Sequence, residues 1–183
     1  MKLSVRTYTA KILVLLALWA LQIPSWARPS AANANQAIAL FLYNFANYVE
    51  WPESAFSSAR DTLNMCVIGN AKFVPYLDTF EGTMIRKRKL SIVKLPVINL
   101  NKRCHVIFLD EEEKKTIENI QVIHQSDFVL SFSDDKQFVQ DGGVVSVFVQ
   151  ERGVQFEVNL AQALANGLYL SSDVLGLARS VKR

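Results

Sequence analysis

NQAIALFLYNFANYVEWP, residues 35–52, is the longest amphipathic run in the chain and the most aromatic. Its apolar residues recur at the 3.6-residue period of a helix, which predicts one stripe facing a core: Ile38, Phe41, Leu42, Phe45 and Val49. Pro52 cannot continue a helical hydrogen-bond ladder, so we expect the helix to end near Glu50 or Trp51.

The opposite side of this predicted helix is neither fully apolar nor fully polar. Leu40, Tyr48 and Trp51 alternate there with Asn44 and Asn47. One interpretation is a core helix with neighbours on both sides. The other is that this second face is a dimer or partner surface.

The first residues have the parts of a secretory signal. Lys2, Arg6 and Lys11 precede an apolar run over residues 12–21, and Ser25 and Ala27 are small residues before a favoured cleavage point. An uncleaved anchor is the alternative, but a spanning helix needs roughly 20 apolar residues. We expect a signal peptide at 1–27, a flexible tail at 28–34, one domain at 35–183, and a periplasmic location.

Removal of this segment changes the charge of the chain. The net charge of +3 falls to zero, since 17 Lys and Arg then face 17 Asp and Glu. The basic character therefore belongs to the signal, and we expect no nucleic-acid partner.

Two cysteines remain, Cys66 and Cys104, each in or beside an apolar run. In an oxidising compartment an even pair indicates one disulfide. Two buried free thiols are the alternative.

Six apolar runs predict strands at 63–68, 90–93, 104–109, 128–132, 144–149 and 154–158, and helical patterns separate most of them. This alternation predicts an α/β fold with a mostly parallel sheet of about six strands and helices on both faces. The short link at 150–153 demands an antiparallel hairpin at the C-terminal edge.

Catalytic and metal-binding spacings are missing from the sequence. There is no GxSxG, HExxH or phosphate-binding glycine motif, and His105 and His124 belong to no spaced ligand set. The acidic run at 110–113 fits a helix capping box. We expect neither an enzyme nor a bound metal or cofactor.

A small-molecule binder is the alternative function. In sheets of this type a ligand sits beyond the C-terminal ends of the strands. Asn70, Asp110 and Asp134 follow three predicted strands and would form the rim of such a site.

A binding protein needs accessible surface, and two further regions offer it. Arg86, Lys87 and Arg88 open a basic cluster, which indicates either an anionic partner or a solvated edge. Gln155 and Glu157 would lie on the exposed face of the last predicted strand. Interface hot spots favour Trp, Tyr and Arg, which ranks Trp51, Tyr48 and Arg86 first.

Several segments taken together resemble the YfiR family over residues 37–181: FLYNFANYVEWP, MCVIG, CHVIFL, VLSFSD, DGG, VQFEVN and GLYLSSDVLGLA. The resemblance implies a periplasmic α/β protein, often a homodimer, that represses a membrane-bound diguanylate cyclase through its periplasmic domain. It also implies relief by an outer-membrane lipoprotein, with cyclic di-GMP and biofilm formation downstream. Cys66 and Cys104 match a disulfide of the family, whereas the second cysteine pair of the best-known members is missing here.

Overall fold

The computed structural model describes residues 31–99, 102–110, 117–124, 126–151 and 153–183. The predicted signal peptide and the capping acids at 111–113 lie outside the described residues. None of the helices in these ranges has the length and apolarity that a membrane span requires.

Within the described ranges the α-helices, in chain order, are α1 Ala31–Ala46, α2 Val74–Leu77, α3 Ile117–His124, α4 Leu160–Ala165 and α5 Ser172–Leu177. The strands are β1 Val49–Glu50, β2 Leu63–Ile68, β3 Met84–Ile85, β4 Arg88–Leu95, β5 Val106–Leu109, β6 Leu130–Ser133, β7 Val145–Gln150, β8 Gly153–Asn159, β9 Tyr169–Leu170 and β10 Ser180–Lys182. Short 3₁₀ turns occupy Glu53–Ala55 and Asp78–Phe80.

Eight of these strands form one sheet in the order β10-β8-β7-β6-β5-β2-β4-β3. The pairs from β4 through β2, β5 and β6 to β7 are all parallel. The β7–β8 hairpin is antiparallel. The predicted α/β class, with a mostly parallel sheet and an antiparallel C-terminal hairpin, is therefore confirmed.

Strand alternation divides the core between the two faces of the sheet. In β2, Met65 and Val67 point to the larger core with α1, whereas Cys66 and Ile68 point to a second core that includes Ile120 of α3. Successive side chains of a strand face opposite ways, so each face needs its own cover. The prediction of helices on both faces is thus confirmed.

Helix α1 packs its apolar stripe on the larger core as predicted. Leu42 and Phe45 are buried, and Phe45 makes edge-to-face contacts with Phe132 of β6 and Phe156 of β8, with ring centroids 5.2 and 5.7 Å apart. Edge-to-face pairs add stabilisation beyond the burial of their area. The helix begins at Ala31, so it includes residues 31–34, which we assigned to a flexible tail.

The predicted end of this helix is wrong. The helix stops at Ala46, and Val49–Glu50 instead pair antiparallel with Tyr169–Leu170 as a two-stranded ribbon. The backbone of residues 49 and 50 finds its hydrogen-bond partners in β9, so it leaves the helix before Pro52 could end it. Val49 is buried, but it lies in strand β1 and not in the helix.

Strand β8 is not the edge of the sheet, contrary to the prediction for residues 154–158. The short β10 pairs with it in parallel, from Ser180 opposite Glu157 to Lys182 opposite Asn159. Gln155 and Glu157 are half-buried. A three-residue strand carries too little periodicity to be seen in sequence.

The structure joins Cys66 and Cys104 in a disulfide, as expected. Cys66 lies in β2 and Cys104 stands just before the neighbouring β5, which brings their Cα atoms to 5.8 Å. This separation is within the range that disulfides span.

Candidate functional site

A pocket of about 220 Å³ opens where β2 and β4 begin. Leu63 and Ile85, both buried, form its floor, and Trp51 and Phe56 form its aromatic walls. Four of the five residues predicted to bind a partner come together around this pocket. Trp51, Arg86, Lys87 and Arg88 all line it.

Arg86 forms part of the tight turn between β3 and β4, and its backbone has a φ of 52°. Residues other than glycine rarely adopt this conformation, which persists where the surroundings enforce it. Here Nε donates to the backbone oxygen of Asn47 at 3.2 Å, and Nη2 pairs with Glu50 Oε1 at 3.2 Å. Arg86 therefore fastens the turn to the segment that follows α1.

Arg88 forms the opposite side of the pocket and is only 11% exposed. Its Nη1 donates to the backbone oxygens of Ser58 and Asp61, and its Nη2 pairs with Glu53 Oε2 at 3.3 Å. Its guanidinium carbon lies 3.4 Å from the ring centre of Phe56. These contacts commit Arg88 to holding the wall of the pocket.

Lys87 lines the pocket, and Lys89 lies two residues further along, in β4. Both are exposed, and neither has a carboxylate partner within the described residues. Because Glu50 and Glu53 balance Arg86 and Arg88, the net positive charge of the pocket lining comes from Lys87.

Trp51 is held by a strained neighbour from a distant part of the chain. Its Nε1 donates to the backbone oxygen of Phe128 at 3.0 Å, and Phe128 has a φ of 63°. The backbone nitrogen of Phe128 donates in turn to Asn166. A bulky residue at positive φ is an outlier, and these two hydrogen bonds help to fix it and thus the position of the indole.

Behind the pocket, Phe56 stacks on His105, with ring centroids 4.4 Å apart. His105 is 2% exposed, its Nδ1 accepts from the backbone nitrogen of Asn64, and its Nε2 lies 3.1 Å from the oxygen of Ala55. The pKa of His105 is lowered to about 4, mainly by burial; the contact with the oxygen of Ala55 opposes this shift, and the charges of Arg103 and Arg88 contribute to it. The imidazole is therefore neutral at pH 7.

Three exposed large side chains belong to residues next to the pocket lining, in sequence or by strand pairing. Tyr48 is 39%, Met84 49% and Tyr169 63% exposed. Tyr169 stands opposite Glu50 in the β1–β9 ribbon, and Tyr48 directly precedes that ribbon. We call these three residues, together with Trp51, Phe56, Arg86, Lys87 and Arg88, the pocket surface.

The three residues predicted to form a ligand rim lie apart from this pocket. Asn70, Asp110 and Asp134 follow the C-terminal ends of β2, β5 and β6, which are neighbours in the sheet. The structure thus places them along one edge, as the topology requires. None of the three lines the pocket described above or the second pocket described below.

Sequence reasoning missed the acids that organise the pocket surface. Glu50 and Glu53 were assigned no partner, although each pairs with an arginine more than 30 residues away. Phe56 and Tyr169 were also missed. No local signal marks such residues, because their roles arise only when distant segments meet.

Comparison with known protein families identifies the family of this chain. A sequence model described as YfiR/HmsC-like matches residues 35–179, most of the chain. The chain belongs to the YfiR/HmsC-like family. The YfiR/HmsC-like proteins are periplasmic regulators of membrane-bound diguanylate cyclases, and they act by interaction rather than by catalysis.

The solved structures similar to this YfiR/HmsC-like chain have low sequence identity. A conserved domain protein from Vibrio cholerae O1 biovar El Tor shares 13% identity, with a TM-score of 0.54 over 81% of this chain and 60% of its own. The ABC domain in complex with L-Trp from Streptococcus pneumoniae shares 10%, with a TM-score of 0.45 over 81% and 62%. The chain thus spans about 60% of the length of these solved chains, and the first supports the fold alone. No curated protein matches the chain.

Proposed function

We propose that this protein is exported to the periplasm and represses an inner-membrane diguanylate cyclase by binding the periplasmic domain of that enzyme. The match to the YfiR/HmsC-like family over residues 35–179 carries this proposal. Repression lowers cyclic di-GMP and with it biofilm formation. The protein performs no chemistry itself.

The pocket surface is the site that we propose for the cyclase. Its pocket of about 220 Å³ is smaller than the roughly 300–1,000 Å³ typical of small-molecule sites. It suits a single large side chain of a protein partner. Tyr, Trp and Arg, the residue types most often found at interface hot spots, surround it.

The charges of this surface favour an acidic partner segment. Lys87 of this surface is exposed and unpaired within the described residues, as is the nearby Lys89, whereas the two arginines are already matched by carboxylates. Electrostatic complementarity mainly speeds association and selects the partner. The proposed epitope therefore combines one apolar anchor with neighbouring Asp or Glu residues.

Deletion of the gene tests the function directly. Intracellular cyclic di-GMP should rise in the deletion strain and return to the wild-type level when the exported protein is restored. Unchanged cyclic di-GMP would refute repression.

Mass spectrometry of the restored protein should find a mature chain that begins at Arg28; recovery of the intact 183-residue chain would refute cleavage after Ala27.

Charge reversal tests the surface. Lys87→Glu should weaken binding to the purified periplasmic domain of the cyclase about tenfold, and intracellular cyclic di-GMP should rise most of the way to the level of the deletion strain. Lys72→Glu, at an exposed turn outside the pocket lining, should change neither the binding nor the cyclic di-GMP level. Equal binding by both variants, with repression intact, would place the cyclase elsewhere on the molecule.

We also propose relief of repression by an outer-membrane lipoprotein and assembly as a homodimer, as the family resemblance implies. A pull-down from envelope extract should recover both the cyclase and the lipoprotein. Sedimentation of the mature protein should give twice the monomer mass. A monomer at all concentrations would refute the dimer alone.

A further inference from the structure

We propose that a second pocket, on the opposite face of the sheet, binds a small carboxylate with a compact apolar body. We call it the disulfide pocket, because Cys104 is part of its lining. It has a volume of about 310 Å³ and shares no lining residue with the pocket surface. The proposal is independent of the function proposed above.

The disulfide pocket has a larger volume than the first pocket. At about 310 Å³ it reaches the lower end of the range of small-molecule sites, roughly 300–1,000 Å³. A partner side chain would leave much of that space empty. A compact free ligand fits it better.

The floor of the disulfide pocket is apolar. Ile68, Ile107 and Val129 are all buried and come from three neighbouring strands, β2, β5 and the approach to β6. They belong to the second core, which also contains the Cys66–Cys104 disulfide. Such a floor favours the aliphatic part of a ligand by removing it from water.

The rim of the pocket is charged and its net charge is positive. Lys102 and Arg103 line it together with one acid, Asp127. Lys102 is exposed and its ammonium has no carboxylate partner among the described residues. Arg103 is steadied by the hydrogen bond from Nη1 to Ser57 Oγ at 2.8 Å, which leaves other guanidinium donors for a ligand.

These features together define the ligand class. An aliphatic floor takes the body, and two cations at the mouth take a carboxylate, since charged hydrogen bonds are the strong ones. Asp127 can also accept hydrogen bonds from an ammonium group. A simple aliphatic carboxylate and an aliphatic amino acid therefore share the required chemistry.

Titration calorimetry of the mature protein tests the site with matched probes. 4-Methylpentanoate should bind with a Kd below about 1 mM, and 4-methyl-1-pentanol, which lacks the charge, should bind at least about tenfold more weakly. L-Leucine adds the ammonium: tighter binding than 4-methylpentanoate would identify an amino-acid site, and equal or weaker binding a simple carboxylate site. No binding of either carboxylate at about 10 mM, or equal binding of the alcohol, would overturn the proposal.

Variants locate the binding on the molecule. Lys102→Gln should raise the Kd of 4-methylpentanoate about tenfold, since a charged hydrogen bond is lost. Lys72→Gln, which removes an exposed lysine outside the pocket, should leave it unchanged. If Lys102→Gln, Arg103→Gln and Lys72→Gln all bind 4-methylpentanoate with the same Kd, the assignment to this pocket is overturned. Thermal unfolding of each variant checks that it is folded.

Discussion

At the residue scale, the column formed by Arg88, Phe56 and His105 links the pocket surface to the interior of the protein. The guanidinium lies 3.4 Å above one face of the phenyl ring, and the imidazole stacks on the ring at 4.4 Å. A cation over an aromatic face is stabilised by the quadrupole of the ring. A positive charge on His105 would act against this arrangement, because it would place a second cation in a buried site near Arg88.

His105 therefore makes stability depend on pH. Its pKa is about 4 in the folded protein and about 6.5 when unfolded, so the unfolded chain binds more protons between these values. Stability is complete above pH 6.5 and is lost as the pH falls towards 4, by up to about 3 kcal/mol. Urea unfolding at pH 7 and pH 4.5 should show this loss.

His105→Gln provides the comparison for that measurement. The variant should be less stable at pH 7 but should lose less stability on acidification, because glutamine does not titrate. If wild type and variant lose the same free energy of unfolding between the two pH values, His105 is not the group responsible.

Trp51 contributes to stability through its indole nitrogen. Trp51→Phe keeps an aromatic wall but leaves the backbone oxygen of Phe128 without its donor, which should lower the free energy of unfolding by about 1–2 kcal/mol. Tyr48→Phe, at an exposed position, should change it by less than about 0.5 kcal/mol. Urea titrations compare the two, and an equally stable Trp51→Phe would show that the hydrogen bond is unimportant.

Sedimentation of alanine variants tests whether these aromatic residues also serve assembly. Tyr48 is exposed. In the alternative in which a second copy of the chain, rather than the cyclase, covers this residue, Tyr48→Ala should shift the protein towards a lighter species. Trp51→Ala and Tyr48→Ala variants that both keep the wild-type mass would restrict these residues to folding or to other partners.

At the element scale, the disulfide joins β2 to the segment just before the neighbouring strand β5. It closes a loop of 38 residues, which in the chain-entropy model corresponds to about 4 kcal/mol. Replacing both cysteines by alanine should lower the urea midpoint markedly without changing the circular dichroism spectrum. A variant as stable as the oxidised wild type would contradict this account.

The elements that could be predicted from sequence are those with a local signal. Strand β2 was predicted with its observed bounds. Asn159 caps α4 by accepting from the Gln162 backbone nitrogen, and this three-residue spacing is itself a local signal of a helix start. The Asp141-Gly142-Gly143 segment is likewise a local turn signal: Gly142 has a φ of 106°, and a side chain at Gly143 would overlap the ring of Phe138.

The elements that could not be predicted depend on distant partners. Strands β1, β9 and β10 have two or three residues each, too few for a periodic pattern, and exist only because another segment pairs with them. The same holds for the site. Trp51, Arg86 and Arg88, which the sequence predicted as partner-binding residues, line one pocket, but the carboxylates that hold the two arginines could be found only in three dimensions.

At the scale of the whole molecule, the sheet separates two kinds of surface. The pocket surface, with its exposed aromatic residues, lies on the side of the larger core, and the disulfide pocket lies on the side of the second core. A ligand and a protein partner could thus be bound together without competing for the same residues. Lys102→Gln should accordingly leave cyclic di-GMP at the wild-type level in the absence of added ligand.

The aromatic contacts of α1 also govern the order in which the chain can fold. Apart from Phe41 one turn earlier in the same helix, Phe45 has its ring contacts at residues 132 and 156, so the first helix has no completed core until most of the domain has been synthesised. Such long-range contacts slow folding, since a large loop must close before they form. A fragment of residues 31–124 should remain unfolded by circular dichroism and expose its apolar helix to chaperones, whereas residues 31–183 should fold cooperatively.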